Sequence, residues 1–221
     1  MRLGVLPGEN QGFERDAVLC ATAWTSRETP ASESTRSTSS KASVCCRLSM
    51  PSKEHNRGSA ATIEREQAFQ DELRLLFPRI RVVAMQYGMA DQARAERITE
   101  ELLGSYAGLS GMFTDNESSS VGALRALQKR SRSNLKFVAF DSREELVSGL
   151  KSGIVDSLVV QDPYRMGYET IRALAAKLAG KHPPVFVDSG VRLVLAGDVD
   201  APDVRQLLFP TLKPGPRSLS R

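Results

Sequence analysis

From Gly58 onwards, the hydrophobic residues follow two alternating spacings along the chain. In five segments they recur every three or four positions, which is the period of an amphipathic helix. The predicted helices contain Phe69 and Leu73, Ala95 and Leu102, Val121 and Leu127, the residues that follow Glu144, and Ile171 and Leu178. Short apolar runs predict strands at 80–85, 112–113, 135–140 and 157–160, with short extended pieces at 185–187 and 191–195. Because short buried strands that alternate with helices form parallel sheets, we predict an α/β fold with a doubly wound parallel sheet and helices on both faces.

Residues 1–57 differ in composition from the rest of the chain. The stretch 25–43 consists largely of Ser and Thr and has no apolar period, so it cannot bury enough surface to become ordered. We therefore predict that residues 1–57 are a disordered or aberrant segment, with one possible strand at 44–50. The α/β lobe is expected at 58–210, followed by a C-terminal tail at 211–221.

Polar side chains follow the predicted strands at the points where they end. These residues are Gln86, Asp115, Asn116, Asp141 and Gln161. In an open parallel sheet, ligands bind outside the carboxyl ends of the strands, and carboxylates and amides suit a ligand rich in hydroxyl groups. The alternative is that the Asp and Asn side chains only cap the helices that follow them.

Two further motifs predict where helices begin. The sequence 141–144 (DSRE) has the spacing of a capping box, in which the first and fourth side chains satisfy each other's backbone N–H groups. Asp162 and Pro163 also predict a helix start, because Asp caps a helix and Pro fits its first turn.

Composition argues against nucleic acid and against a membrane span. The net charge is only +4 and aromatic residues make up 6% of the chain, which is too little for a surface that stacks bases. No apolar run reaches the ~20 residues that span a bilayer, and the N-terminus lacks the pattern of a signal peptide. The three cysteines give neither a disulfide framework nor a metal-ligand spacing, so we predict no metal and no cofactor.

Signs of catalysis are weak. The sequence 108–112 (GLSGM) fails as a nucleophile elbow because Met112 stands where glycine is required. The two histidines, His55 and His182, lie in predicted loops, and no phosphate-binding glycine loop is present. The basic residues at 129–132 fall at a predicted helix end, where cations favour the helix dipole. We therefore predict that the protein is not an enzyme.

Four segments together resemble the second lobe of the type I periplasmic sugar-binding proteins, the ribose-binding group that serves ABC transporters. They are GSAATIEREQAF (58–69), FTDNESSSVGALRAL (113–127), FVAFDS (137–142) and VDSLVVQDPYRMGYE (155–169). They occur in the family's order and at about the family's spacing.

The resemblance implies a set of sugar-binding residues in this lobe. Arg65 matches the arginine that donates to sugar oxygens, and Asn116 matches the amide at a strand end. Asp141 matches the acceptor of a Phe-Asp pair in which Phe140 packs beside it. Gln161 matches the glutamine of the hinge strand.

The resemblance also implies partners and a cellular location. The expected ligand is a monosaccharide, the expected partner is the permease of an ABC transporter, and the expected location is the periplasm. Such sites close between two lobes that move about a hinge, and the first lobe has no counterpart before Gly58, so we expect a truncated relative. Two alternatives stay open, namely the effector-sensing core of a sugar-responsive repressor and a fragment with no ligand function.

Overall fold

A computed structural model describes the backbone of residues 44–49 and the complete residues 60–130 and 135–210. Within these residues the strands are β1 (Val44–Ser49), β2 (Arg81–Tyr87), β3 (Gly111–Thr114), β4 (Lys136–Phe140), β5 (Ser157–Gln161) and β6 (Val191–Val194). The helices are α1 (Ala60–Leu76), α2 (Gln92–Ser105), α3 (Glu117–Arg130), α4 (Glu144–Lys151), α5 (Pro163–Leu178) and α6 (Pro202–Leu208). A short 3₁₀ turn, Ala196–Asp198, precedes α6.

The strands form one sheet in the order β2-β1-β3-β4-β5-β6. Strands β1 to β5 run parallel, and β6 pairs antiparallel with β5. From β1 the chain first adds β2 at one edge of the sheet, and it then adds β3 to β6 in order on the other side of β1. The strand order therefore reverses between β1 and β3. This is a doubly wound sheet, and the predicted fold class is confirmed. In such sheets the ligand crevice lies at the carboxyl ends of the strands beside the reversal.

The possible strand predicted at 44–50 corresponds to β1. It pairs with β2 along its whole length and with β3 over four residues, so it lies inside the sheet. The sheet therefore extends N-terminal to Gly58, where the sequence pattern placed the start of the α/β lobe. The Ser- and Thr-rich stretch before this strand and the polar stretch after it set it apart from the regular alternation that begins at Gly58, so the sequence pattern did not assign it to the lobe.

The two faces of the sheet are covered by different helices. Successive side chains of a strand point to opposite faces. In β4, Phe137 and Ala139 therefore pack with residues of α2, α3 and α4, whereas Val138 and Phe140 pack with Phe69 of α1. The ring of Phe69 stacks on that of Phe113 with centroids 4.5 Å apart. This packing fixes α1 across the middle of the sheet.

Helix α5 has no buried residue, unlike the other helices. Its start follows the prediction, since Asp162 accepts a hydrogen bond from the backbone N–H of Arg165 and Pro163 begins the helix. Its apolar residues are exposed, with 64% of Ile171 and 81% of Leu178 accessible to solvent. The apolar face that the sequence pattern predicts for this helix is thus left uncovered by the part of the chain that the structure describes.

One local prediction, the capping box before α4, was wrong. Helix α4 begins at Glu144 after Arg143, and no side chain caps it, because Asp141 turns away into a different set of contacts. The predicted capping box at 141–144 is therefore absent. Residues 185–187, which were predicted as a short extended piece, are not part of the described sheet, and 107% of Val185 and 56% of Phe186 are exposed.

Candidate functional site

A chain of hydrogen bonds joins three polar residues at the carboxyl edge of the sheet. Arg65 lies on α1, and its Nη2 donates to Oε1 of Gln161 at the end of β5, at 2.7 Å. The amide of Gln161 then donates from Nε2 to Oδ1 of Asp141, which follows β4, at 3.0 Å. One amide thus bridges a cation and a carboxylate, and its orientation is fixed from both sides.

The guanidinium of Arg65 is held by two further contacts. Its Nη1 donates to the backbone carbonyl of Asp115 after β3, at 3.2 Å. Its central carbon lies 4.1 Å from the centroid of the Phe140 ring, which places the cation over the aromatic face. A side chain from α1 is therefore pinned against the ends of three strands, and little conformational entropy is left to lose when a ligand binds.

Asp141 has an unusual backbone conformation. Its φ is 73°, in the left-handed region that L-residues rarely adopt. Aspartate tolerates this region better than most residues, at a cost of about 1–2 kcal/mol. The conformation turns the chain sharply at the end of β4, and it directs the carboxylate towards Gln161 rather than towards the start of α4.

The electrostatic surroundings of Asp141 are mixed. Burial raises the pKa of this carboxyl group above its ordinary value, and the nearby Glu117 acts in the same direction. The hydrogen bond from Gln161 and the charge of Arg65 lower the pKa, but they offset the burial only in part. Glu117 is itself paired with Arg143 at 3.2 Å. The site therefore contains a partly desolvated acceptor that gains from any additional hydrogen-bond donor.

This pKa shift predicts a dependence of stability on pH. Because the folded state holds the proton more tightly, the group favours folding below its ordinary pKa of 3.8. That contribution is lost as the pH rises through the higher folded-state pKa. The variant Asp141→Asn removes the titration, so we expect it to be more stable than the native protein at neutral pH, with the difference disappearing below pH 3.8. Thermal melts of both proteins across this range measure the difference, and a difference that is independent of pH would contradict the prediction.

Asn116 combines the two roles considered for the strand-end residues. Its Oδ1 accepts from the backbone N–H of Ser119 at 3.0 Å and so caps α3. Its Nδ2 donates to Oδ1 of the buried Asp115 at 2.8 Å. The side chain is partly exposed beside the Arg65 cluster. The helix-cap interpretation is thus correct for Asn116, and a contact with ligand stays a prediction.

The structure brings together all five residues predicted to bind sugar, four of them in direct contact and Asn116 through Asp115, whereas the strand-end residue Gln86 lies apart. Arg65 contacts Phe140 and Gln161, and Gln161 contacts Asp141. Asn116 is linked to Arg65 through Asp115. Gln86 lies within the exposed edge strand β2, on the far side of β1 from the cluster, and takes no part in it.

Sequence reasoning missed Ser120, which the structure places between the ends of β3 and β4. Ser120 is fully buried, and its hydroxyl forms hydrogen bonds with Thr114 of β3 and with the backbone N–H of Phe140 in β4. A serine in an amphipathic helix is ordinary in a sequence, so only the three-dimensional neighbours identify it.

Chemically, the cluster offers donors and acceptors in fixed directions without a nucleophile or a metal centre. Arginine donates from a planar fork, a carboxylate accepts at several lone pairs, and amides do both. Among the described residues no group of three metal-ligating side chains lies together. Within the same part of the chain, every helix is too short or too polar to cross a bilayer. The donors and acceptors of the cluster have the chemistry that hydrogen bonding to a polar ligand requires.

Residues 41–182 match the periplasmic binding protein domain family. The match covers more than half of the chain and includes all of the cluster residues, and the chain belongs to this family. The resemblance recognised in the sequence motifs is thereby confirmed.

The curated relatives are ribose import binding proteins. The protein from Escherichia coli strain K12 is 25% identical over 138 residues, which are 62% of this chain and 46% of that protein. The protein from Haemophilus influenzae is 29% identical over 110 residues, which are 50% of this chain and 37% of that protein. The chain thus spans about half the length of the curated relatives it matches. These relatives give no support to the repressor alternative.

Solved structures share the fold. An ABC transporter solute binding protein from Agrobacterium vitis with bound D-fucose has a TM-score of 0.76 at 22% identity, covering 90% of this chain and 62% of that one. A second such protein from the same organism, bound with alpha-D-tagatopyranose, has a TM-score of 0.73 at 26% identity over 90% of this chain and 60% of that one. The periplasmic component of an ABC-type sugar transport system from Hahella chejuensis has a TM-score of 0.70 at 30% identity, covering 83% and 61%.

Proposed function

We propose that this chain contributes one lobe of a non-catalytic binding site for a monosaccharide, with Arg65, Asn116, Phe140, Asp141 and Gln161 as the ligand-binding residues. The observation that carries the proposal is the hydrogen-bonded series from Arg65 through Gln161 to Asp141. It lies at the carboxyl edge of a doubly wound sheet, where ligands of this fold class bind.

The charge balance of the cluster favours a neutral ligand. Arg65 and Asp141 have opposite charges and are linked through a neutral amide, so the cluster neither attracts nor repels net charge strongly. Hydroxyl groups donate to the carboxylate and accept from the guanidinium, and a neutral sugar has both functions on every hydroxyl. The relatives support this class, because their names and bound ligands are ribose, D-fucose and tagatose.

The same relatives support a role in transport. They are import binding proteins and solute binding proteins of ABC transporters, so the proposed partner is the permease of such a transporter and the proposed location is the periplasm. We propose that the lobe predicted at 58–210, together with β1, forms part of a sugar-binding protein of such a transporter. Residues 1–43, 50–59 and 211–221 lie outside the described residues, and so do the disorder and the tail predicted there.

Thermal melts of the purified chain with D-ribose, D-arabinose, D-tagatose and D-fucose test the proposal. A ligand that binds only the folded state raises the melting midpoint, and the stabilisation grows with the logarithm of the ratio of its concentration to its Kd. We expect one of these sugars to raise it and Arg65→Met to weaken binding by about tenfold or more, since a hydrogen bond to a charged group contributes about 1.5–3 kcal/mol.

Arg125→Met is the matched control for the arginine substitution. Arg125 pairs with Glu145 at 3.1 Å between α3 and α4, on the opposite face of the sheet from α1. Its loss removes one exposed ion pair and leaves the cluster intact, so sugar affinity should not change. A cooperative melt that no sugar shifts, or equal losses for the two variants, would contradict the proposed site.

A further inference from the structure

The hydroxyl group of Ser120 links the two strand ends that form the site. It donates to the backbone carbonyl of Asn116 at 2.8 Å, and it accepts from the backbone N–H of Phe140 at 2.9 Å. It also lies 2.8 Å from the hydroxyl of Thr114, the last residue of β3. Ser120 is fully buried and does not belong to the Arg65 cluster itself.

These contacts use the full hydrogen-bonding capacity of a serine hydroxyl. Such a group has one proton to donate and two lone pairs that accept. With its proton directed to Asn116, it accepts from Phe140 N–H and from the Thr114 hydroxyl. No capacity is left over, so the position of this oxygen is fixed by β3, β4 and α3 together.

The hydroxyl of Ser120 takes the place of a hydrogen-bond acceptor on β3 where β3 and β4 stop pairing. Strands β3 and β4 are paired up to Phe113 and Val138, and beyond that pair the backbone of β4 has no partner on β3. Phe140 N–H therefore donates to Ser120, and on the other side Asp141 N–H donates to the carbonyl of Val159 at 2.9 Å. These two bonds hold the two peptide groups that flank Phe140, immediately before the left-handed residue Asp141.

We propose that Ser120 is a positioning residue of the binding site, which holds Asp141 in its left-handed conformation without contacting the ligand. Removing the hydroxyl leaves a buried N–H at Phe140 with no acceptor. A buried donor without a partner is costly, so the end of β4 rearranges to satisfy it. The carboxylate of Asp141 then loses its direction towards Gln161. Only the expected change in sugar affinity rests on the proposed function. The change in the backbone at Phe140 and Asp141 is expected without any ligand.

Ser119→Ala is the matched control for Ser120→Ala. Both serines are fully buried neighbours on α3, and both substitutions remove one hydroxyl. The hydroxyl of Ser119, however, makes no hydrogen bond in the described structure. The backbone N–H through which Ser119 meets Asn116 is unchanged by the substitution.

The first measurement uses the full chain without ligand. In Ser120→Ala we expect hydrogen exchange of the Phe140 amide to accelerate by about tenfold or more, because this amide loses its hydrogen-bond acceptor. Backbone NMR couplings should show that φ of Asp141 moves away from the left-handed region. Ser119→Ala should change neither. If Phe140 protection and the Asp141 couplings are the same in Ser120→Ala as in the native chain, the inference is overturned, whether or not the protein binds sugar.

The second measurement is a double-mutant cycle on the affinity for the sugar that shifts the melt. We expect Ser120→Ala to weaken binding by about threefold or more in the native background and to have little effect in Asp141→Asn, since the two residues act as one unit. Equal losses in both backgrounds would mean a general structural role and would also overturn the inference. If no sugar binds the native chain, the proposed function fails, and the measurement without ligand still decides the role of Ser120.

Discussion

Replacing Asp141 with glycine should weaken sugar binding by about tenfold or more while the free energy of unfolding stays unchanged or rises. The loss of affinity follows from the removal of the charged acceptor, whose hydrogen bonds contribute about 1.5–3 kcal/mol each. Substitutions in a protein core usually cost stability, so a variant that loses function without losing stability identifies a residue that is retained for binding.

The expected gain in stability has two sources. The φ of Asp141 is 73°, and glycine adopts this conformation without the steric cost that a Cβ imposes. Burial also disfavours the ionised carboxylate, as its raised pKa indicates, and glycine removes that group. The hydrogen bond from Gln161 is lost, which offsets part of the gain.

Asp91→Ala gives the opposite expected result and serves as the control. Asp91 lies in the turn between β2 and α2, and its exposed carboxylate caps α2 by accepting from the backbone N–H of Arg94 at 3.0 Å. Removing this cap should cost about 0.5–2 kcal/mol and leave affinity unchanged. Calorimetric titration and denaturant melts on both variants give the two quantities. An Asp141→Gly variant that binds normally would remove this residue from the site.

The largest expected loss of stability is at Gly122, in the middle of α3. A Cβ at this position would lie 2.5 Å from the carbonyl oxygen of Gln92, 2.6 Å from Cβ of Ala95 and 2.8 Å from the backbone nitrogen of Glu96. All three neighbours belong to α2, and two of them are backbone atoms that cannot move aside alone. Gly122→Ala must therefore push α2 and α3 apart, and we expect it to cost about 3 kcal/mol, at the upper end of typical overpacking.

Gly104→Ala is the matched control on the neighbouring helix. Gly104 is exposed near the end of α2, and the nearest atom to an added Cβ is the flexible guanidinium of Arg130 at 3.9 Å. Alanine should stabilise the helix here by about 0.5–1 kcal/mol, so the same chemical change has opposite signs at the two positions. Denaturant unfolding measures both. A Gly122→Ala variant as stable as the native chain would mean that α2 and α3 do not pack as closely as described.

Much of the candidate site could be predicted because its residues lie at strand ends. Asp141 and Gln161 directly follow apolar runs, and in a parallel sheet such positions converge at one edge. Arg65 was identified by the resemblance alone, because it lies on a helix where nothing in the local pattern distinguishes it from other exposed basic residues. Its role depends on partners that lie 50 and 96 positions away along the chain.

Other features were predicted wrongly or were not predicted for a physical reason. The sequence 141–144 has the spacing of a capping box, but burial of Asp141 beside Gln161 and Arg65 overrides that local preference. Ser120 could not be predicted, because its acceptor role depends on the divergence of β3 from β4. Competition between local and long-range contacts decided both cases, and only the folded neighbours reveal the outcome.

The sequence by itself determined the alternation of helices and strands, the start of α5 at Asp162 and Pro163, and the polar residues that end β3, β4 and β5. These features depend on spacing and on contacts within a few residues. The tertiary structure decided that β1 lies between β2 and β3, that α1 crosses the sheet to deliver Arg65, and that Asp141 adopts a left-handed backbone. Strand order and side-chain convergence depend on contacts between distant segments, whose free energies no local pattern contains.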